Sequence, residues 1–489
     1  MFNSIIECVA VWAQKTPSKL CIVDDRRELT YFEYWQEVLQ LKQYLKEQGI
    51  KKADCIVVEA RQAVEYLALE LAIQLCGAVF VPMEKNCAAK RIQDVITMTD
   101  AVLAITNRAE EFTCNIMTYD QLQDMSKDYL PLLNDVIFPD TGETSEILFS
   151  TGTTGKPKGI ELSHRNNISL AENVKYGVEM EPDNVELIPV PLNHSHGLRR
   201  YYGNMLNGST VIILNGVLNV QQFFSYIDRY RVTAIDMVPA SLAVLLKLSK
   251  DKLAEYKKQI KYIQLGAAPL PEEDKETLCT YLPDTRLYNF YGSTESGCVS
   301  ILDFNKEKGR KYCIGTPTHN VKLMFVDENH NEILATEENL GLLAFYGPMN
   351  MKGYWKDSEE TQQVLKHGYI FTNDLAYQDN DGYIYLKGRK GDVINVGGSK
   401  VSPDEVEEIA RRYKGIKDCA CVAAPDKMKG FVPRLFIEVE AGVELDIQMV
   451  SSFLAEALEP YKNPRQIIIV DKIPRSFNGK LLRKELNNQ

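Results

Sequence analysis

The sequence predicts an α/β protein. A large N-terminal domain of helix-covered sheets carries a small antiparallel sheet or barrel, and a small α+β C-terminal domain follows. Three observations predict this. Short Val/Ile-rich runs ("CIVVEA", "AVLAIT", "STVIILN", "AIDMVP", "YIQLGAA") alternate with amphipathic stretches, the pattern of parallel strands covered by helices. Around 300–350 the rhythm changes to the closely spaced runs "KLMFVD", "NEILA" and "GLLAFYG", which suit an antiparallel sheet or barrel. From about Asp392 a further module begins, of about 100 residues, the size of a compact domain. It reads helix ("SPDEVEEIARRY"), strands ("DCACVAAPD", "PRLFIEVE"), helix ("DIQMVSSFLAEAL") and strand ("QIIIVD").

Taken in order, the N-terminus "MFNSIIECVAVWAQKTPSKL" lacks a basic n-region, and Glu7 interrupts its apolar run. It predicts a surface helix rather than a secretory signal. The most apolar stretch, Tyr66 to Met83, contains Glu70, Gln74, Gly77 and Pro82. It predicts a buried helix turning into a buried strand, not a membrane span. "SEILFS" predicts a strand and "ELSHRNNISLAENV" a helix, with a loop between them. "LKGRKGDVINVGG" is Gly- and charge-rich and predicts a linker. No internal repeat or low-complexity tract is found.

The 489 residues are 45% hydrophobic and 25% charged, with a net charge of −11. An acidic chain of this kind disfavours non-specific binding to nucleic acid or anionic lipid. The 11 cysteines include no CxxC pair and no zinc-finger spacing with His. Cys21, Cys55, Cys419 and Cys421 lie in apolar runs, as core thiols of a reducing cytoplasm do.

One loop carries chemistry. "STGTTGKPKG", Ser150 to Gly159, is not a Walker A loop. Only two residues separate Gly152 from Gly155, and Lys156 is followed by Pro157 rather than by Ser or Thr. Its composition still suits phosphate. Glycines let backbone N–H groups approach an anion, and Ser150, Thr151, Thr153 and Thr154 add hydroxyl donors. Lys156 or Lys158 can neutralise a polyphosphate. A solvated surface loop is the alternative.

The same ten residues resemble the phosphate loop of the adenylate-forming superfamily, which includes acyl- and aryl-CoA synthetases, stand-alone adenylation domains and luciferases. Other segments follow in family order: "QLCGAVFVPME", "PLNHSHGL", "GAAPL", "YGSTESG", "GYIFTNDLAYQDNDGY", "GRKGDVINVGGSKVSPDEVE" and "PRSFNGKLLRKEL". The resemblance implies a large domain over 1–388, a hinge at 389–392 and a small mobile C-terminal domain over 393–489. It also implies a two-step reaction. A carboxylic acid and ATP give acyl-AMP and pyrophosphate; a thiol, that of CoA or of a carrier protein's phosphopantetheine, then takes the acyl group.

The resemblance further implies a role for each motif residue. Thr151, Gly152, Thr153, Thr154, Gly155, Lys156 and Lys158, with Ser150, would cradle the β- and γ-phosphates. Glu295 would hold Mg²⁺, a hard cation suited to a carboxylate and phosphate oxygens, and Thr294 would donate to the α-phosphate. Tyr291, Gly292 and Ser293, with the loop of Gly266, Ala267, Ala268 and Pro269, would bound the adenine. Asp374 would accept from the ribose hydroxyls, with Arg389 beside it. Lys480 would neutralise charge between the acid and the α-phosphate. His194 or His196 would stand at the acyl pocket, which Phe290 and Gly266 would floor. Gly398 and His194 would line the thiol channel.

Departures from the family pattern are Asn373, Leu342 and Gly391, the last at the hinge position. Phe290 stands where long-chain enzymes of the family carry Gly, which implies a short, medium or aryl acid. Arg199 and Arg200 follow the His motif. They are either two solvated arginines or include one that meets a second carboxylate of the acid, since "HSHGL" also resembles the malonyl-CoA synthetases. No acid follows His194 to pair an α-amine, so an amino acid is disfavoured. Loading of a carrier protein, a nucleotide-binding pseudoenzyme and a luciferase-type oxygenase are the competing readings.

Overall fold

A computed structural model describes residues 2–85, 87–108, 110–126, 136–150, 158–396, 399–426, 428–475 and 481–486. They form two compact units. The first comprises Met1–Arg310, Gly315–Leu323 and Phe345–Ile370; the second comprises Lys311–Ile314, Met324–Ala344 and Phe371–Gln489.

The first unit holds two helix-covered sheets. In one, the strand order is Gly353–Tyr354, Lys158–Ser163, Thr144–Ser150, Val79–Met83, Cys55–Glu59, Leu103–Ile105, Asn115–Met117. The last five strands run parallel; the first two are antiparallel additions. The other sheet runs Gly297–Asp303, Arg286–Ser293, Tyr262–Leu265, Ala234–Met237, Val185–Ile188, Thr210–Ile213, Leu20–Val23, Glu28–Thr30. Its six middle strands are parallel. The buried Val/Ile runs of the sequence are these strands, apolar on both faces because helices cover both.

In the first unit two expectations about elements need correction. The N-terminal helix Ile5–Lys15 is not a surface helix: Ile5, Ile6, Cys8, Val9, Ala10 and Ala13 are all buried. Its single charged interruption, Glu7, sits in the first turn, where Ser4 caps the helix. The segment after the phosphate loop also does not enter a helix directly. "KGIELS" alternates apolar and polar residues and forms the strand Lys158–Ser163, antiparallel to Thr144–Ser150. The helix begins only at His164, where Ser163 and Asn166 form a reciprocal capping box.

The helix Ser195–Asn207, "SHGLRRYYGNMLN", has a polar sequence and is buried on all sides from Gly197 onward. Burying polar side chains in this way calls for internal partners. Arg200, fully buried, forks onto Glu186 through Nε and Nη2, both at 2.7 Å, and also meets Gln264 and Tyr262. Burial works against its charge, but Glu186, Tyr262 and Asp236 outweigh that and push its pKa up. Arg199 faces the other sheet, with Nη1 2.8 Å from Glu146 Oε1. Tyr34 and Tyr201 share a 2.8 Å hydrogen bond, and Asn204 donates to Glu186. So Arg199 and Arg200 are not solvated. Each guanidinium already faces a buried carboxylate of this chain.

Tyr202 Oη lies against Glu70 Oε1 and 2.7 Å from Glu146 Oε2, and Arg199 stands beside Glu146. Burial, reinforced by the charge of Glu146, raises Glu70 well above the usual 4.5.

The second unit contains the strand run Lys322–Val326, Gly341–Tyr346, Tyr369–Gln378, Ile384–Arg389, with some strand ends in the first unit. This is the small antiparallel sheet, with Asp374 opposite Arg389 and Gln378 opposite Ile384. "NEILA" supplies only an isolated bridge, Val326 to Glu332, not a strand. A five-stranded sheet follows, Ser399–Val401, Ile394–Val396, Gly430–Val439 and Ile416–Asp426, with Gln466–Val470 beside Gly430–Val439. The helices Pro403–Arg411 and Ile447–Ala457 cover it, with Val406, Cys419, Cys421, Leu435 and Leu454 in its core. The expected linker instead holds two strand ends, Ile384–Arg389 and Ile394–Val396, with only a short turn between them.

Glu70 yields a pH prediction. Its folded pKa is raised, so its contribution to stability is full below about 4.5 and is lost as pH rises. Wild-type unfolding free energy should fall relative to Glu70→Gln above pH 4.5, by at most about 1.4 kcal/mol per pH unit. Urea denaturation at several pH values checks this, and parallel profiles for the two proteins would contradict it.

Candidate active site

On the phosphate side, residues 151–157, including Thr151, Gly152, Thr153, Thr154, Gly155 and Lys156, lie outside the described residues, as does the side chain of Ser150. The two strands that the loop connects are described, and so is Lys158. The short strand Gly353–Tyr354 pairs with Lys158–Ser163, Gly353 opposite Glu161 and Tyr354 opposite Ile160; Trp355 N–H donates to Gly159 O at 2.7 Å. This pairing brings Lys158, Tyr354 and Glu360 together, with Glu295 held by Tyr354. Lys158 Nζ lies 5.3 Å from the centre of the Tyr354 ring and is ion-paired with Glu360. Tyr354 Oη donates to Glu295 Oε1 at 3.0 Å, and Met351 N–H donates to the Glu295 carbonyl at 2.8 Å. Burial, together with the neighbouring carboxylate Glu295, raises Tyr354 well above its usual range, so it stays a donor.

Glu295 is half-buried. With one oxygen engaged by Tyr354, it retains acceptor capacity for a hard cation. Among the described residues no cluster of three or more His, Cys, Asp or Glu side chains could hold a metal. Thr294 is the residue before Glu295, and Ser293 shares a 3.1 Å hydrogen bond with Ser296.

A second group of side chains lies near the C-terminal ends of the parallel strands, where α/β sheets bind ligands. His196 Nε2 is 2.8 Å from Asp236 Oδ1, and Asp236 is fully buried on Ala234–Met237. The acceptor fixes the proton on Nε2. The His196 ring meets Phe290 edge-on, at 4.9 Å between centroids. Phe290 lies over Gly266, where an added Cβ would stand 2.0 Å from its ring; only glycine admits this approach. Ala267, next in the "GAAPL" loop, holds the left-handed conformation at φ 68°, which a non-glycine residue adopts at a cost. Ala268 and Pro269 complete that turn. Tyr291 and Gly292 continue the strand from Phe290.

His194, the cap residue of the buried helix, lies 3.3 Å from the Asn193 amide. Burial, then His196 and Arg91, hold its pKa below the usual 6.5. Both imidazoles of the motif are thus placed, and His196 is the one with a buried carboxylate behind it.

In the second unit, Asp374 and Arg389 face each other across two strands, with Arg389 Nε donating to Asp374 Oδ1 at 3.0 Å. Gly391 is exposed at φ 97°, and a Cβ there would meet nothing within 4 Å. Gly398 and Lys480 lie outside the described residues. The two ends of 476–480 are joined, however: Leu482 N–H donates to Pro474 O at 3.0 Å, and Arg475 bridges to Leu481. Arg475 forks onto Asp418 at 2.6 and 2.7 Å, and Arg483 binds Asp404 and Glu407. Burial pushes Glu407 up to about 7, against the pull of Arg483.

The sequence reading missed Tyr354, Glu360 and Asp236. Asp236 carried a signal, being the one acid within the apolar run "AIDMVP". Tyr354 and Glu360 carried none, because their importance comes from a strand pairing far along the chain.

The AMP-binding enzyme family model matches residues 9–355, and the model of the AMP-binding enzyme C-terminal domain matches 405–480. The chain belongs to the AMP-binding enzyme family. Among its relatives are a probable CoA ligase, CCL5, of Humulus lupulus, 29% identical over 94% of this chain and 88% of that protein. The 2-succinylbenzoate–CoA ligase of Oceanobacillus iheyensis is 25% identical over 97% of each. The fold is that of o-succinylbenzoate CoA synthetase from Bacillus subtilis in complex with its acyl-adenylate, with TM-score 0.86, 23% identity and coverage of 99% of this chain and 98% of that one. It is also that of ATP-bound MatB from Rhodopseudomonas palustris, with TM-score 0.87, 22% identity and coverage of 98% of both. No helix among the described residues of this AMP-binding enzyme is long and apolar enough to cross a membrane.

The depressed pKa of His194 predicts a neutral imidazole at pH 7. Its folded pKa lies below the unfolded value, so the stability it contributes is present above about 6.5 and lost as pH falls. An NMR titration of the His194 ring, assigned with His194→Gln, should give a midpoint below 6.5. A midpoint at or above that value would contradict the placement.

Proposed function

We propose that this AMP-binding enzyme is an acid–thiol ligase that activates a short, medium-chain or aryl carboxylic acid with ATP and transfers it to CoA. The observation that carries the reading is the grouping of Lys158, Tyr354 and Glu295 beside the phosphate loop, in a chain whose relatives are named as CoA ligases. The two substrates are both anions, and the enzyme must supply positive charge and fixed geometry at their meeting point.

In the first step a carboxylate oxygen attacks the α-phosphorus of ATP and the bond to pyrophosphate breaks. Lys158 and the loop before it bind the departing β- and γ-phosphates. Glu295, held by Tyr354, would hold Mg²⁺, which would offset phosphate charge. Lys480 neutralises charge at the α-phosphate, Thr294 donates to it, and Asp374 with Arg389 takes the ribose. In the second step the thiol sulfur attacks the acyl carbon and AMP leaves. Gly391, at a backbone angle that suits glycine, is the pivot between the two steps.

Phe290 sets the acid class. Its ring occupies the space over Gly266, so the acyl site is short. Arg199 and Arg200 are already matched to Glu146 and Glu186, so neither offers an unpaired charge to a second carboxylate. A carrier protein's phosphopantetheine is the second acceptor to test. The eleven cysteines, all unpaired, suit a reducing compartment such as the cytoplasm.

Pyrophosphate release across short, medium, long, aromatic and dicarboxylic acids, with CoA or a loaded carrier protein as acceptor, tests this. Short, medium or aryl acids with free CoA should turn over best. Phe290→Gly should move the optimum to longer acids. Palmitate as the best acid of the wild type would contradict the pocket argument, and transfer only to the carrier would replace CoA.

A further inference from the structure

We propose that Glu360 is an internal counter-ion for Lys158, which it holds in the nucleotide-free enzyme and which the polyphosphate of ATP must take from it. The proposal rests on the reading that Lys158 faces the phosphates.

Glu360 is placed by backbone structure rather than by its lysine partner. It lies in the first turn of the helix Ser358–Val364, where Asp357 Oδ1 accepts from Glu360 N–H at 3.0 Å. Thr361 Oγ1 donates to the Asp357 carbonyl at 2.6 Å and accepts from Tyr354 N–H at 2.9 Å. The helix is thus tied to the strand Gly353–Tyr354, and that strand is paired with Lys158–Ser163. The neighbouring Glu359 is exposed, while Glu360 turns in and its carboxylate meets the Lys158 ammonium. The same ammonium stands over the Tyr354 ring, whose hydroxyl holds Glu295. One connected set therefore joins the phosphate-loop lysine, its counter-ion and the candidate magnesium ligand.

Two features make the contact a competitor rather than a fixed brace. The side chains of Lys158 and Glu360 are 24% and 28% exposed, so water screens the pair and it exchanges readily. It also cancels one positive charge at a site meant for a polyanion. ATP brings several negative charges to Lys158 where Glu360 brings one, so the nucleotide displaces the carboxylate. The cost of that exchange is subtracted from ATP affinity. AMP has no β- or γ-phosphate to compete, so its binding should not feel the contact.

The test is calorimetric binding of ATP and of AMP to the full-length enzyme, with and without Mg²⁺. The variants are Glu360→Gln, Glu360→Ala, Lys158→Met and Lys158→Met/Glu360→Gln. Removing the charge at 360 should tighten ATP binding about 2- to 5-fold, the range for one partly exposed ion pair, and leave AMP affinity unchanged. Lys158→Met should weaken ATP binding, and on that background Glu360→Gln should add nothing. Unchanged or weaker ATP binding by both Glu360 variants, with Lys158→Met still weakening it, would overturn the counter-ion alone. Unchanged ATP affinity in Lys158→Met would overturn the phosphate reading beneath it.

Discussion

Two adjacent arginines on one buried helix reach in opposite directions. Arg199 meets Glu146 on the strand that enters the phosphate loop, and Arg200 meets Glu186 on a central strand of the other sheet. Successive helical residues point about 100° apart, so a single Arg-Arg step can address both sheets. Buried pairs of this kind add little net stability, but losing one partner leaves a charge stranded, at a cost of about 3–5 kcal/mol. They therefore fix the register of the helix strictly. His194 and His196 stand at its start, and their position depends on this register.

The phosphate side obeys a different constraint. Its loop joins two antiparallel strands, so the following helix begins only at His164, beyond the second strand. Helix N-termini are a common source of positive potential for phosphate, and here the strand Lys158–Ser163, not a helix, follows the loop. The pairing of Gly353–Tyr354 with Lys158–Ser163 brings the Tyr354 ring and the Glu360 carboxylate to Lys158. The proposed nucleotide site thus rests on a backbone ladder closed late in the chain, and the proposed acyl site on a helix register set by buried charge.

Much of this was legible in the sequence, for definite reasons. Strands buried on both faces read as continuous Val/Ile runs. The motif loops read through their unusual composition, and residues such as Asp374 and Arg389 follow from the family pattern and lie opposite each other. The helix Ser195–Asn207 was not legible. Its polar letters suggest solvent, and its burial depends on partners at 34, 70, 146 and 186 that periodicity does not connect. The end of the strand Lys158–Ser163, Glu161 to Ser163, reads as helix because it runs straight into a strong helix start at Ser163. Glu360 was unreadable for a simpler reason: "DSEET" offers three acids, and only the fold decides which one turns inward.

The central claim is that a carboxylate of the substrate attacks the α-phosphorus of ATP in this site. The most direct measurement follows the oxygen. An acid labelled with ¹⁸O in both carboxyl positions would be turned over with ATP and CoA, and the AMP and pyrophosphate analysed by mass spectrometry. One ¹⁸O atom should appear in each AMP and none in pyrophosphate. Label found in pyrophosphate or in inorganic phosphate, or ATP consumed with no label in AMP, would contradict the account.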